Sequence, residues 1–172
     1  MLVTRKLWGN SSCPFGTTTI YRGVASGGYY NHDGTPANLM CLPPDPVRPS
    51  NNLGGSIPTY TVEYQTGGSI NHANDRNVPC AVCEVSGKTA ILMIPSHKEC
   101  PTGWRHEYSG YIMAGHNSHK GSSMFNCIDI SLEQIPGTGG DDSSHQLYPI
   151  YAASSQLPRD GSYALTCVVC SK

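Results

Sequence analysis

The sequence contains little phenylalanine, few charged side chains and no long hydrophobic run. Only 2 of the 172 residues are Phe, and 13% are charged. No stretch combines helical periodicity with a capping signal, which argues against a helical fold. The longest apolar run, residues 90–94, is much shorter than a membrane-spanning helix requires. We therefore predict a buried strand at this run and no membrane insertion.

The distribution of charge excludes a second class of partner. The 11 basic and 12 acidic side chains give a net charge of −1, and the two signs are mixed along the chain. The sequence has neither the basic patch that nucleic-acid binding requires nor a polybasic arm. We therefore predict no nucleic-acid partner.

Glycine, proline and tyrosine are plentiful, with 19, 13 and 10 residues respectively. Glycine and proline punctuate a chain with turns, and tyrosine favours strands. This composition predicts short strands joined by ordered loops, and hence an all-β, loop-rich fold.

The chain repeats itself at an offset of 87 residues. Stacked repeat arrays usually need three or more copies to bury a continuous core, so two copies indicate a pseudo-two-fold pair. We predict two tandem subdomains of about 85 residues, comprising residues 1–86 and 87–172. The matching strings are Cys13-Pro14-Phe15-Gly16 with Cys100-Pro101-Thr102-Gly103, Tyr21-Arg22-Gly23 with Tyr108-Ser109-Gly110, His32-Asp33-Gly34 with His119-Lys120-Gly121, and Cys80-Ala81-Val82-Cys83 with Cys167-Val168-Val169-Cys170.

The eight cysteines form an even set, which fits a disulfide framework, a zinc site or a redox motif. Both Cys-x-x-Cys elements end a repeat, whereas a redox motif is expected at the start of a helix after a strand. They are also much farther apart than the pairs of a zinc ribbon. We favour disulfides, which predict a secreted, extracellular protein. The glycosylation sequon Asn10-Ser11-Ser12 agrees with that location.

Several strings give the chain a family resemblance. The second repeat contains Cys100-Pro101-Thr102-Gly103-Trp104 and Tyr108-Ser109-Gly110-Tyr111-Ile112-Met113, and it resembles the non-collagenous C-terminal domain of type IV collagen. The strings Gly27-Gly28-Tyr29-Tyr30-Asn31-His32 and Ala37-Asn38-Leu39-Met40-Cys41-Leu42-Pro43 are similar to the C-terminal region of sponge short-chain, spongin-type collagens. The resemblance covers almost the whole chain, although the first repeat lacks the tryptophan.

The resemblance implies an all-β tandem whose two subdomains exchange strands. It also implies the disulfide pairs Cys13–Cys83, Cys41–Cys80, Cys100–Cys170 and Cys127–Cys167. The sequence has no Gly-x-y tract that could form a collagen triple helix. We therefore expect another role, and small disulfide-crosslinked lectins of marine invertebrates offer one.

Two glycine-rich segments contain the candidate sugar-binding residues. Tyrosine and histidine rings cover the C–H faces of sugars, while Asn and His side chains supply donors and acceptors for hydroxyl groups. The alternative is that the tyrosines and the repeated histidines pack beneath turns. The candidates are Tyr29, Tyr30, Asn31, His32 and Asp33 in the first repeat, and His116, Asn117, His119 and Lys120 in the second.

Other residues receive structural interpretations. We predict Trp104 in the core, and Tyr60, Tyr64, Tyr148 and Tyr151 in strands. The unlike segments 43–55 and 136–146 are predicted surface loops. Asp141, Asp142 and His145 lack the ordered spacing of a calcium site, so we predict that they lie in a solvated loop and that the protein holds no metal or cofactor.

No motif indicates an enzyme. The glutamates show no paired arrangement, no serine elbow is present, and eight paired cysteines would leave no thiol nucleophile. The preferred hypothesis is a secreted, cation-independent lectin for glycans with N-acetylated hexosamines. The alternative is an extracellular-matrix oligomerisation module. Both predict a homo-oligomer.

Overall fold

The regular secondary structure of the protein is almost entirely β-strand. A computed structural model describes residues 2–47, 50, 55, 57–142, 144–154, 156–157 and 163–172, and the helical part of these is one 3-10 segment, Gly68–Ala73. The strands are β1 Leu2–Trp8, β2 Thr18–Gly27, β3 Met40–Leu42, β4 Tyr60–Tyr64, β5 Pro79–Ser86, β6 Ile91–Pro95, β7 Arg105–Ala114, β8 Asn126–Asp129, β9 His145–Pro149 and β10 Thr166–Ser171. The prediction of an all-β fold is confirmed.

Strand pairings in the first half of the chain recur in the second half. Strand β2 pairs antiparallel with β3, β4 and β5, and β7 pairs antiparallel with β8, β9 and β10. Likewise β1 pairs with β5, and β6 with β10. The long strands β2 and β7 therefore organise their halves in the same way.

Two further pairings connect the halves. Strand β4 runs parallel to β9, with Val62 opposite His145, and β1 meets β8 where Trp8 lies opposite Ile128. A pairing of β6 with β3 would be the counterpart of the second contact. Among the described residues, β3 pairs only with β2, and β6 only with β10.

Four disulfides crosslink the sheet, and they are the four pairs that the resemblance implies. Cys13 joins Cys83, Cys41 joins Cys80, Cys100 joins Cys170, and Cys127 joins Cys167. All eight cysteines are used, which leaves no thiolate for zinc or thiol redox chemistry. Four disulfides in a small all-β protein are consistent with an extracellular location.

The core consists of two clusters of buried side chains. One is centred on Val62, Tyr64 and Leu147, where β4 and β9 meet. The other includes Leu7 and Tyr108, so it also draws on both halves. None of the described helical residues forms a helix that is long and apolar enough to cross a membrane.

Several sequence-based placements were wrong. The apolar run is strand β6, but Leu92 is 40% exposed because β6 is an edge strand. Trp104 is only half-buried, and Tyr151 is exposed and lies outside the strands. The exposure of these three side chains depends on contacts between distant segments, which the local sequence does not specify.

The two predicted surface loops have different outcomes. In segment 43–55 the described residues are mostly exposed, and residues 48, 49 and 51–54 lie outside the described residues. Residue 143 of segment 136–146 lies outside the described residues. The prediction fails at the end of this segment, where His145 and Gln146 are buried in β9. They are buried because β9 pairs with β4, a contact between distant parts of the chain.

Candidate functional site

The two predicted binding loops have the same local turn. Strand β2 ends at Gly27, and the amide of His32 donates to the carbonyl of Tyr29 over 3.3 Å. In the second loop, which follows β7, the amide of His119 donates to the carbonyl of His116 over 3.0 Å. Each turn thereby places two ring side chains close together.

The fold brings these loops into contact. The amide of Gly121 donates to the carbonyl of Tyr30 over 2.8 Å, and the amide of Met124 donates to the carbonyl of Ala37 over 3.1 Å. Gly121 must remain small, since a Cβ there would lie 2.8 Å from the carbonyl oxygens of Tyr29 and Tyr30. The two loops that contain the candidate residues therefore lie side by side.

In the first half, three rings form a compact triad. The ring centroid of Tyr29 lies 4.6 Å from that of His32 and 5.2 Å from that of Tyr60. His32 and Tyr60 are 6.3 Å apart. Tyr60 joins the triad because it lies opposite Gly27 in the β2–β4 pairing.

The second half contains an equivalent triad. His116 lies 5.5 Å from His119 and 5.1 Å from Tyr148, while His119 and Tyr148 are 5.7 Å apart. Tyr148 lies opposite Ala114, the residue equivalent to Gly27. The two triads thus differ in composition only where His116 replaces Tyr29.

Tyr30 connects the triads. Its ring lies 4.8 Å from Tyr29 and 4.5 Å from His119 in an edge-on arrangement. We call the resulting set the ring cluster, which consists of Tyr29, Tyr30, His32, Tyr60, His116, His119 and Tyr148.

The ring cluster faces solvent. His32 and His116 are exposed, and the other five rings are half-buried. Four further candidates are exposed without joining the ring contacts: Asn31, Asp33, Asn117 and Lys120. Sequence reasoning placed Tyr60 and Tyr148 in strands and missed their part in the cluster. Their recurrence at an offset of 88 residues, one more than the offset of the loops, was a usable signal.

Strand β9 and the residue before it hold the first loop in place through hydrogen bonds. His145 is 4% exposed, and its Nδ1 lies 2.8 Å from the carbonyl of Gly28, to which it donates as the N–H tautomer. The amide of Tyr30 donates to the carbonyl of Ser144 over 3.1 Å. A segment of the second half therefore positions the binding loop of the first.

Burial controls the charge of these supporting groups. It lowers the pKa of His145, and the Gly28 carbonyl opposes this only in part. Burial, followed by the nearby His116 and His145, also lowers the pKa of His119. Burial raises the pKa of Glu63, whose Oε1 accepts hydrogen bonds from the amide and hydroxyl of Ser144. His119 and His145 are therefore mainly neutral near pH 7.

The site is suited to binding a neutral, polar molecule with apolar faces. Its rings offer stacking surfaces, and its histidines offer donors and acceptors. Within the described ranges, no group of three or more His, Cys, Asp or Glu side chains could hold a metal ion. No protein-family model matches the chain.

Proposed function

We propose that the protein is a secreted, cation-independent carbohydrate-binding protein that acts by stacking and hydrogen bonding without catalysis. One observation carries this proposal. Two loops from different halves of the chain, together with Tyr60 and Tyr148 from adjacent strands, form a single, partly exposed ring cluster of four tyrosines and three histidines. Rings packed only for stability would be expected to turn away from solvent.

The shape of the cluster suggests two adjoining sugar subsites. Each triad places a tyrosine at the end of a strand beside a histidine from a loop, which pairs a flat apolar face with a hydrogen-bonding edge. Glycans with N-acetylated hexosamines fit this pairing, because the acetamide methyl packs on a ring and the amide accepts or donates a hydrogen bond.

The experiment is titration calorimetry with N-acetylglucosamine and its oligomers, followed by the variant His32→Ala. We expect millimolar binding of the monosaccharide that tightens with chain length and persists in a chelator. His32→Ala should weaken binding about tenfold, because it removes one stacking and hydrogen-bonding group. His72→Ala is the matched control, since His72 is also exposed but lies outside the ring cluster.

The outcome separates binding from folding. Weaker binding by His32→Ala with an unchanged melting temperature supports sugar contact. A lower melting temperature would return His32 to a structural role. If the folded protein binds none of these sugars, or loses binding equally in His72→Ala, the proposal fails.

We also infer that the chain is a tandem of two pseudo-two-fold-related subdomains, residues 1–86 and 87–172, related to the C-terminal domains of type IV and sponge short-chain collagens. The recurrent strand pairings support this relationship. So do the equivalent disulfides, whose partners are separated by 70 and 39 residues in one half and by 70 and 40 in the other.

A second candidate function, self-assembly into a matrix module, is favoured by an uncovered face. Strand β1 of the first half covers Tyr108 of the second half, and Tyr108 is only 6% exposed. The counterpart of Tyr108 in the first half, Tyr21, is 37% exposed. Strand β6 is the repeat equivalent of β1, and it has a free edge among the described residues. Strand β6 of a second copy would therefore cover Tyr21 as β1 covers Tyr108.

The side chains at the equivalent positions suit such a contact. Arg5 and Glu107 form a buried ion pair within the chain. Their repeat equivalents are Leu92 and Ile20, which are 40% and 50% exposed. An interface between copies would bury Leu92 against Ile20, just as Arg5 is buried against Glu107 within one chain.

A charge exchange tests the arrangement. Ile20→Glu should make the protein monomeric in light scattering coupled to gel filtration, because it buries a lone carboxylate in the interface. Ile20→Glu with Leu92→Arg should restore the oligomer, since the pair then reproduces Arg5 and Glu107. A wild-type monomer at high concentration, or an oligomer unaffected by Ile20→Glu, would exclude this interface.

A further inference from the structure

A crevice of about 310 Å³ lies between β1 and strands of the second half. Arg5, Lys6 and Trp8 line it from β1. Met93, Tyr108 and Phe125 line it from the second half. It shares no lining residue with the ring cluster, so its chemistry is independent of the proposed sugar site.

Positive charge exceeds negative charge beside this crevice. Arg5 Nη2 donates to Glu107 Oε2 over 3.1 Å. Arg105 donates to both oxygens of the same carboxylate, over 2.8 and 3.1 Å. The hydroxyl of Ser171 also donates to Glu107 Oε1. Two guanidinium groups therefore share one carboxylate whose acceptor sites are already filled.

Two nitrogen atoms of the Arg5 guanidinium have no hydrogen-bond partner. The residue is 5% exposed, and its Nε and Nη1 are buried without a hydrogen-bond partner. Its guanidinium carbon lies 5.2 Å from the centre of the Tyr108 ring. Buried donors without acceptors are costly, and an arginine fork matches two oxygens of one anion.

Lys6 adds a second cation. Its ammonium donates to the carbonyl of Leu39 over 3.3 Å and lies 5.8 Å from the Trp8 ring. Among the described residues, no carboxylate lies within ion-pair distance of Lys6. This charge is therefore also left without an anionic partner.

The repeat shows that the strand does not need these cations. At the equivalent positions β6 has Leu92 and Met93, and it still pairs with β10 as β1 pairs with β5. Folding of the strand thus accepts aliphatic side chains at both places. The pairing of β1 with β5 therefore does not require Arg5 or Lys6.

We propose that the crevice binds a small organic monoanion, in which a carboxylate or sulfate ester engages Arg5 and Lys6 and a flat or apolar body lies against Trp8, Met93 and Phe125. The volume admits about one ring with its anionic group. Carboxylate and sulfate share this chemistry, because each presents two oxygens to a guanidinium.

The experiment titrates the folded protein with benzoate, phenyl sulfate and the neutral benzyl alcohol. Binding is followed by calorimetry and by the Nε–H resonance of Arg5 in nitrogen-15 spectra. We expect saturable binding of at least one anion, a shifted Arg5 resonance, and affinity at least about tenfold above that for benzyl alcohol. A preference between the two anions identifies the carboxylate or the sulfate ester as the natural group.

Two variants keep the test independent of folding. Arg5→Leu with Glu107→Ile recreates the aliphatic pair of the repeat and should abolish the preference for the anion. It leaves no buried charge unpaired, because Arg105, which also loses Glu107, has a side chain that is 34% exposed and can be solvated. Lys6→Met should weaken anion binding about threefold. Lys98→Met removes an exposed lysine elsewhere and should change nothing, as should His32→Ala in the ring cluster.

The results are decisive in either direction. Selective anion binding that the double variant loses while still binding benzyl alcohol supports the site. Equal binding of benzoate and benzyl alcohol, absence of anion binding by the folded wild type, or full anion binding by the double variant would overturn it.

Discussion

The two halves of the chain place the same tyrosine in different surroundings. Tyr21 and Tyr108 each donate their hydroxyl to the carbonyl of an equivalent cysteine, over 3.3 Å to Cys41 and 3.1 Å to Cys127. Yet Tyr21 is 37% exposed and Tyr108 only 6%. The local geometry is repeated, whereas the covering strand is not.

This difference in exposure coincides with a difference in sequence between the halves. The covered face has the ion pair of Arg5 and Glu107, and the uncovered face has the aliphatic residues Leu92 and Ile20. Burial within one chain can retain a well-bonded charge pair, since the partners are always present. In the assembly proposed above, the second face would meet its partner only between copies, and apolar side chains would suit such a surface because they leave no charge unpaired in the monomer.

The largest expected effect compares the equivalent inner disulfides. Removing Cys41–Cys80 or Cys127–Cys167 opens loops of 39 and 40 residues, and each removal should lower the free energy of unfolding by about 4 kcal/mol. Paired Cys→Ala variants in urea unfolding would measure this. One shared transition that shifts equally in both variants indicates a single folding unit; a separate transition confined to one variant would show that the halves unfold independently.

The next effect compares Glu107 with Ile20. Glu107→Ile leaves the buried Arg5 without its partner and should cost about 3 kcal/mol. Ile20→Glu changes an exposed residue and should alter monomer stability by less than about 0.5 kcal/mol. Arg5→Leu with Glu107→Ile should recover most of the loss. Equal losses for the two single variants would contradict the contrast between the faces.

A smaller difference is expected between Gly110 and Gly23. A Cβ at Gly110 would lie 1.7 Å from the carbonyl oxygen of Ile128, and one at Gly23 would lie 2.3 Å from that of Leu42. Strand β8 is held by β7 and β1, but β3 pairs only with β2 among the described residues. Gly110→Ala should therefore cost about 2 kcal/mol and Gly23→Ala about 1 kcal/mol. Thermal unfolding would show whether Gly110→Ala is the more destabilising variant. Equal losses of stability would indicate that β3 is as rigid as β8 and would contradict the prediction.

The smallest effect concerns His145, which is buried. Its counterpart in the register that aligns Tyr148 with Tyr60 is Ile57, which is 79% exposed. Because burial lowers the pKa of His145, the unfolded chain binds the proton more readily. Stability is then lost as the pH falls below the unfolded-state pKa of about 6.5. His145→Gln should show a smaller loss of urea stability between pH 7.5 and 5.5. His119 has a lowered pKa and acts on stability in the same direction, while Glu63 has a raised pKa and acts in the opposite direction. Both contributions are present in the wild type and in the variant, so the difference between the two proteins reports His145. Parallel plots of stability against pH for the two proteins would contradict the prediction.

Local features of this fold could be predicted from sequence. The glycine and tyrosine content indicated strands and loops, and the paired cysteines indicated a crosslinked framework. Each loop was also recognised by its own residues, from Tyr29 to Asp33 and from His116 to Lys120. These features depend on neighbours in the chain, so a local pattern contains them.

Contacts between distant segments could not be predicted in this way. Alternation alone did not indicate that Tyr60 and Tyr148 would join the rings, or that β9 would bury His145 against Gly28. The same limit applies to Trp104 and Leu92, whose hydrophobic character predicted burial. Leu92 is exposed because its strand lies at the edge of the sheet, and the surrounding fold covers Trp104 only in part.

The sequence by itself determined the repeat, the β architecture and the identity of both ring-bearing loops, because turns and strands follow from short-range sterics and periodicity. Tertiary structure alone decided that the two loops would meet and that β1 would cover one face and leave the other open. Arg5 and Glu107 lie 102 residues apart in the chain. Their pairing depends on the packing of one half against the other, which no local pattern specifies.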